Sequence, residues 1–187
     1  MAILEIKKFG SSVLRKRTAP VEKVTEETRR LIDDMFETMY AAEGIGLAAP
    51  QVGVSQDLIV VDVSPHDPSA ERLALVNPEI VSEEGEVVGE EGCLSFPGIT
   101  GDVKRAETVR VRALDREGQR FEAPMEGIAA RVVQHEIDHL RGILVVDRLS
   151  TVKRSLLRGQ LRRLKKEGGR QAQGRVEQAE GAVDAGR

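Results

Sequence analysis

Gln134-His135-Glu136-Ile137-Asp138-His139 reads H-E-x-x-H. Residues four apart on a helix stand one above the other. His135 and His139 can therefore grip one metal ion, with Glu136 beside them to move a proton. The pair uses two of the three histidines in 187 residues, so chance is a poor account of it. The flanks fit a helix. At about 100° per residue, Met125, Ile128, Ala129, Val132, Val133, Ile137 and Leu140 fall on one broad side. Arg131, Gln134, Asp138 and Arg141 fall on the other. His135, Glu136 and His139 share the apolar side, where unpartnered imidazoles and a carboxylate would be costly. A metal ion removes that cost. Histidines bonded only to backbone carbonyls are the plainer alternative, but they give Glu136 no purpose. Pro124 suits the first turn of this helix and Gly142 its end.

The motif leaves the third ligand to be found. A metzincin protease continues H-E-x-x-H-x-x-G-x-x-H. Here Gly142 matches, but the last position is Val145, which cannot bind metal. The other histidine, His66, sits in Ser64-Pro65-His66-Asp67-Pro68 and reads as a solvated loop residue. That leaves Cys93, the single cysteine, in Glu90-Glu91-Gly92-Cys93-Leu94-Ser95-Phe96-Pro97-Gly98. A lone cysteine is often a small buried hydrophobe. This one is flanked by glycine and turn residues, so it can reach into a site from a strand end. Two His and one Cys would leave a fourth position for water, as a catalytic metal needs.

Three segments together resemble the peptide deformylases, in their compact bacterial form. They are Gly44-Ile45-Gly46-Leu47-Ala48-Ala49-Pro50-Gln51-Val52-Gly53, Glu91-Gly92-Cys93-Leu94-Ser95, and the H-E-x-x-H segment. They follow the family's order and spacing, and the similarity runs from the N-terminus to about residue 166. Thr100 is a departure, since some members of that family carry a substrate-contacting arginine there.

The resemblance implies hydrolysis of N-formyl-methionyl nascent peptides to formate and a free amine. It implies Cys93, His135 and His139 as metal ligands and iron(II) as the metal in the cell. Zinc, nickel or cobalt suit the same donors, and ligand type alone does not choose among them. Such a metal makes hydroxide available near neutral pH. Glu136 would take the water proton and hand it to the leaving amine. The Gln51 side-chain amide and the Leu94 backbone N–H would receive the negative charge growing on the formyl oxygen. Ile45, Ile128 and Val132 are candidate walls of a methionine pocket. Ile45-Gly46 and Glu91-Gly92 are candidates to pair with the peptide backbone as neighbouring strands. Glu91 and Arg105 are candidates for an ion pair that steadies the cysteine loop.

Composition is that of a soluble protein, with 40% hydrophobic and 32% charged residues. At this length one domain with a real core is expected, here over residues 1–167. No apolar run approaches the roughly 18 residues of a membrane span, so no membrane contact is expected. The N-terminus has no signal-peptide core and no transit character. One cysteine excludes an internal disulfide framework. These features place the chain in a reducing cytoplasm, and a monomer is the expectation.

Element order predicts an α+β fold. Antiparallel strands in small sheets are expected around a central metal-binding helix, with an N-terminal and a C-terminal helix. Thr25 to about Glu43 reads as helix, with Glu26 and Glu27 in its first turn and a stripe of Leu31, Ile32, Met35, Phe36 and Met39. A glycine-rich loop, Gly44 to Gly53, follows. Its G-x-G is no nucleotide fingerprint, because no third glycine or helix opening follows. Strands are expected at Leu58–Val63, at Leu73–Val76 and Glu79–Val88 broken by Asn77-Pro78, and at Thr108–Leu114. Asp115-Arg116-Glu117-Gly118 turns the chain into a strand over Gln119–Ala123.

The C-terminus changes character. Residues 152–167 carry a local charge of +6 in a chain of −3, leaving −9 for the rest. Leu157, Leu161 and Leu164 make an apolar stripe in a helix over about 150–167. Lys153, Arg154, Arg158, Arg162, Arg163, Lys165 and Lys166 make a basic face. Such a run is commonly a solvated helix. The resemblance instead implies docking on the ribosome, where basic charge suits RNA phosphate. Residues 168–187 have few large apolar side chains and read as a disordered tail.

Two rivals remain on sequence grounds. A zinc endopeptidase would use the same helix but lacks the metzincin third histidine. A non-catalytic, ribosome-docking homologue would have no need to keep Gln51, Cys93, His135, Glu136 and His139.

Overall fold

The structure is a computed structural model and describes residues 2–170. The first long element is helix α1, Glu26–Ala41. The Thr25 hydroxyl accepts from the Thr28 N–H, and the Thr28 hydroxyl accepts from the Thr25 N–H, so two orphan donors are satisfied reciprocally. Ile32, Met35, Phe36 and Met39 are its buried stripe.

Seven strands follow: β1 Gly46–Ala48, β2 Leu58–Val61, β3 Leu73–Glu84, β4 Val87–Gly92, β5 Thr100–Arg105, β6 Thr108–Leu114 and β7 Arg120–Glu126. Five form an antiparallel sheet in the order β1-β2-β3-β6-β7, and β4 pairs with β5 alone. The expected α+β arrangement of small antiparallel sheets is thus present. β2 is buried on both faces. Its Leu58 and Val60 join the α1 cluster, while Ile59 and Val61 join the cluster of helix α2, Gly127–Leu140. This period-2 split places α1 and α2 on opposite sides of the sheet. A third cluster, around Phe96, Ile99, Val103, Leu144, Val146 and Leu164, ties the β4–β5 hairpin to the C-terminal part of the chain.

Several expected boundaries are corrected. Asn77-Pro78 does not break β3. Asn77 takes φ of 53°, the ladder shifts register between Val76 and Glu79, and the Asn77 amide bonds the backbone of Val21 at 2.8 and 2.9 Å. The break falls instead at Gly85-Glu86, so Val87 and Val88 begin β4. Pro124 lies in β7, not in the metal-motif helix, which starts at Gly127. β7 is an edge strand, where proline is tolerated. The Gly44–Gly53 loop contains β1 and a 3-10 turn, Ala49–Val52. β5 was not anticipated.

After a short helix α3, Val145–Arg148, the basic segment forms α4, Thr151–Leu156. Helix resumes over 158–170, so it is interrupted at Leu157 and runs past the expected end at 167. Leu157, Leu161 and Leu164 pack on the third cluster as expected. The expected tail lies, from residue 171 onward, outside the described residues.

Candidate metal centre

α2 presents His135 and His139 one turn apart, both buried. Cys93 follows the end of β4, and its Sγ lies 3.2 Å from His139 Nε2. The three ligand atoms lie within 4.8 Å of one another. The sequence separates Cys93 from His135 by more than forty residues, and the fold brings them together. His66 is exposed at the rim of the neighbouring cavity and is not part of this group.

A buried network of ions surrounds the donors. Glu91 Oε2 lies 2.9 Å from His135 Nδ1, which leaves the other ring nitrogen for a metal. The Arg105 guanidinium clasps the same carboxylate through two bonds of 2.9 Å, as expected from sequence. Its remaining Nη1 reaches Asp138 at 2.5 Å, and Arg148 closes the chain on Asp138. Arg131 Nη1 donates to Glu91 at 2.8 Å and to Val103 O at 2.9 Å. Burial alone would raise the Glu91 pKa. The hydrogen bonds from His135 and Arg105 outweigh it and hold the carboxyl down at about 2. On the polar side of α2, Gln134 and Asp138 are buried, while Arg141 stays exposed.

The carboxyl of Glu136 behaves oppositely. Burial pushes its pKa up to about 7, against the pull of the nearby His135. Its Oε2 is buried with no hydrogen-bond partner among the described residues, as is His139 Nδ1. His139 is held well below the usual imidazole range by burial and by the charge of His135. Burial also opposes a charge on His135, but hydrogen bonds to Cys93 and Glu91 overcome it and favour positive charge at this point. One sulfur and two imidazole nitrogens, closely set beside a buried carboxylate oxygen, fit a divalent transition metal.

A cavity of about 610 Å³ opens over these residues. Ile45, Gly46, Gln51, Glu91, Gly92, Leu94, Ile128 and Val132 all line it, and so does Thr100. β1 must pass close to α2 for this. A Cβ on Gly46 would stand 2.5 Å from Glu136 Oε1 and 2.6 Å from Val132 Cγ1, so any side chain there would displace the Glu136 carboxylate and Val132. The Gln51 Oε1 accepts from Ala48 N–H at 2.7 Å. Its Nε2 is thereby turned toward Cys93 Sγ at 3.6 Å and Ser95 Oγ at 3.3 Å. Sequence reasoning missed Arg131, Asp138 and Arg148, which join the ion network, and Lys8, which lines the cavity. Arg131 carried a signal, since it lies four residues before His135 on the same helix.

A family model described as polypeptide deformylase matches residues 3–155. The chain belongs to the polypeptide deformylase family. This is a family of metal-dependent hydrolases. The chain is 53% identical over 158 residues to a peptide deformylase of Thermodesulfovibrio yellowstonii, covering 84% of this chain and 96% of that one. It is 52% identical over 168 residues to one of Alkalilimnicola ehrlichii, covering 90% and 94%. Among solved structures, a peptide deformylase from Legionella pneumophila superposes with a TM-score of 0.81 at 50% identity, covering 90% of this chain and 99% of that one.

Proposed function

We infer that this chain removes the formyl group from the N-terminal methionine of newly made peptides, giving formate and a free amine. The observation that carries this reading is the triangle of Cys93, His135 and His139 beside a buried Glu136 oxygen that has no partner among the described residues, at an apolar-walled cavity. A divalent metal held by these three residues would supply Lewis-acid chemistry and lower the pKa of a water. Glu136 Oε2 takes a proton from the attacking water. The same carboxyl then returns it to the leaving amine nitrogen. Gln51 Nε2 and the Leu94 N–H donate to the formyl oxygen as the water oxygen adds to the formyl carbon, and that charge returns to the carbonyl as the C–N bond breaks and the amine takes up the proton.

Recognition rests on the residue behind the formyl group, because that group has no side chain. Ile45, Ile128 and Val132 supply apolar walls for methionine. β1 is an edge of the five-stranded sheet, and β4 pairs with β5 alone. Gly46, Glu91 and Gly92 lie on these two edges beside the cavity, where an extended peptide can add its own backbone bonds. Thr100 bonds Glu90 at 3.0 Å and leaves the rim without a cation at that position.

Iron(II) is our proposal for the metal in the cell, with zinc, nickel or cobalt able to substitute. Protein purified without air would carry iron and lose activity on exposure to oxygen. Activity with zinc alone, unchanged by oxygen, would defeat that assignment. The basic helix is proposed to dock on ribosomal RNA as the protein acts, monomeric, in the cytoplasm. Its Arg154, Arg158, Arg162, Arg163, Lys165 and Lys166 are exposed, which supports the reading. No helix among the described residues is long and apolar enough to cross a membrane. Residues 1–167 are proposed as one catalytic domain. Formate release from formyl-Met-Ala tests the function, run beside acetyl-Met-Ala and unblocked Met-Ala. Formate from the first peptide alone, with no cleavage of its Met-Ala bond, separates deformylation from endopeptidase action.

A further inference from the structure

Three consecutive residues near the N-terminus touch both loops that carry the proposed oxyanion donors. The Lys7 N–H donates to Gln51 O at 2.7 Å, and the Phe9 N–H donates to Ser95 O at 3.0 Å. Between them, the Lys8 ammonium donates to Leu94 O at 3.0 Å. The ring of Phe9 stacks on Phe96 with centroids 4.8 Å apart.

Peptide geometry gives these contacts a consequence. In a trans peptide the C=O and the following N–H point opposite ways in one plane. Cys93 O accepts from the Phe96 N–H at 2.8 Å, so the Leu94 N–H of the same plane is directed away from that turn. The next carbonyl, Leu94 O, is held by Lys8, and the one after, Ser95 O, by Phe9. Three successive peptide planes are thus pinned, and Leu94 cannot rotate without breaking one of them. Gln51 is held the same way, its carbonyl by Lys7 and its Oε1 by Ala48. The Lys8 backbone is itself wedged. A Cβ on Gly168 would lie 2.6 Å from Lys8 O and 2.4 Å from Phe9 O, and one on Gly10 would lie 2.2 Å from Lys165 O. Of the bonds from residues 7–9 to the two loops, the Lys8 bond is made by a side chain. It is also charge-assisted, and so among the stronger kind.

We propose that Lys8 is a positioning residue for the reaction: its ammonium fixes the Leu94–Ser95 peptide and so aims the Leu94 N–H at the formyl oxygen. This rests on the reading of Gln51 and Leu94 as oxyanion donors. Lys8 is not one of the metal donors, so its removal should leave metal binding alone.

Four metal-loaded proteins test this with formyl-Met-Ala: wild type, Lys8→Met, Lys8→Arg and Gln51→Ala. Loss of a whole oxyanion donor costs roughly 10²–10³ in kcat, which is the expectation for Gln51→Ala. Misaiming a donor should cost less. We expect Lys8→Met to lower kcat about tenfold with KM within about twofold. Lys8→Arg should recover most of that loss. Metal content should stay at wild-type level. In cobalt-loaded protein, the sulfur-to-cobalt absorption band should be unmoved. Wild-type kcat in Lys8→Met alongside a large loss in Gln51→Ala overturns the positioning role. Wild-type kcat in both overturns the donor reading beneath it. A fall in melting temperature without a fall in kcat, or a shift of the cobalt band in step with kcat, makes Lys8 a structural residue only. Should Lys8→Met fail to fold, Lys8→Gln, too short to reach Leu94 O, carries the same comparison.

Discussion

Replacing Glu91 with glutamine should both loosen the fold and weaken the grip on metal, by amounts the structure sets. The carboxylate accepts two bonds from Arg105, one from Arg131 and one from His135 Nδ1, and its side chain is 4% exposed. Glutamine removes the charge and turns an N–H₂ donor toward other donors. Removing one partner of a buried ion pair costs roughly 3–5 kcal/mol. The depressed pKa gives a second measure. A fall from 4.5 to about 2 corresponds to roughly 3 kcal/mol in favour of the charged form. Asp138 still holds Arg105, so the lower end of the range, about 3 kcal/mol, is expected for the metal-free protein. With His135 as a ligand, losing its Glu91 partner should further weaken metal affinity about 10–100-fold. The sign of the pH effect follows from the same shift. The folded pKa is depressed, so the stabilisation is full above 4.5 and is lost as pH falls toward 2. Wild type should show this acid loss, and Glu91→Gln should lack its share of it. Urea unfolding at pH 7 and pH 3.5, with metal competition against a chelator, measures both effects. A loss under about 1 kcal/mol together with wild-type metal affinity would refute the reasoning, since exposed pairs already account for that much.

Glu136→Gln should bind metal and fold normally while turnover falls about 10²–10⁴-fold; turnover within a few-fold of wild type would remove Glu136 from proton transfer. Cys93→Ser should retain metal poorly after dialysis and lose most activity, and normal retention would show that the sulfur is not a ligand. Reversing the charge of Arg158, Arg162 and Lys166 should leave small-peptide turnover intact and weaken pelleting with ribosomes, most visibly at low salt, because phosphate neutralisation is salt-dependent. Equal pelleting of both proteins would leave the helix a solvated surface.

What could be read from the residues depended on periodicity. The H-E-x-x-H spacing fixes a helix and a shared face in one local pattern, and α2 carries all three residues. β6 matched its expected bounds, Thr108–Leu114, because Val109, Val111 and Ala113 alternate and a turn follows. β5 escaped notice because Thr-Gly-Asp-Val-Lys-Arg has one large apolar residue and a glycine. Its order comes from pairing with β4 and from Val103 in the third core cluster. Pro124 misled because proline marks helix starts more often than strand edges, and edge position is a property of the whole sheet. The same limit applies to the site. Cys93 emerged because other histidine ligands ran out, whereas Asp138, Arg148 and Lys8 meet partners distant in sequence.

The central claim is that Cys93, His135 and His139 together hold one metal on which deformylation depends. Formate release from formyl-Met-Ala during anaerobic titration of metal-free protein with iron(II) tests it most directly. The expected result is no formate at the start, a linear rise to one equivalent of metal per chain, and a plateau beyond. Full activity before any metal is added, or a titration of Cys93→Ser that matches wild type, would contradict it.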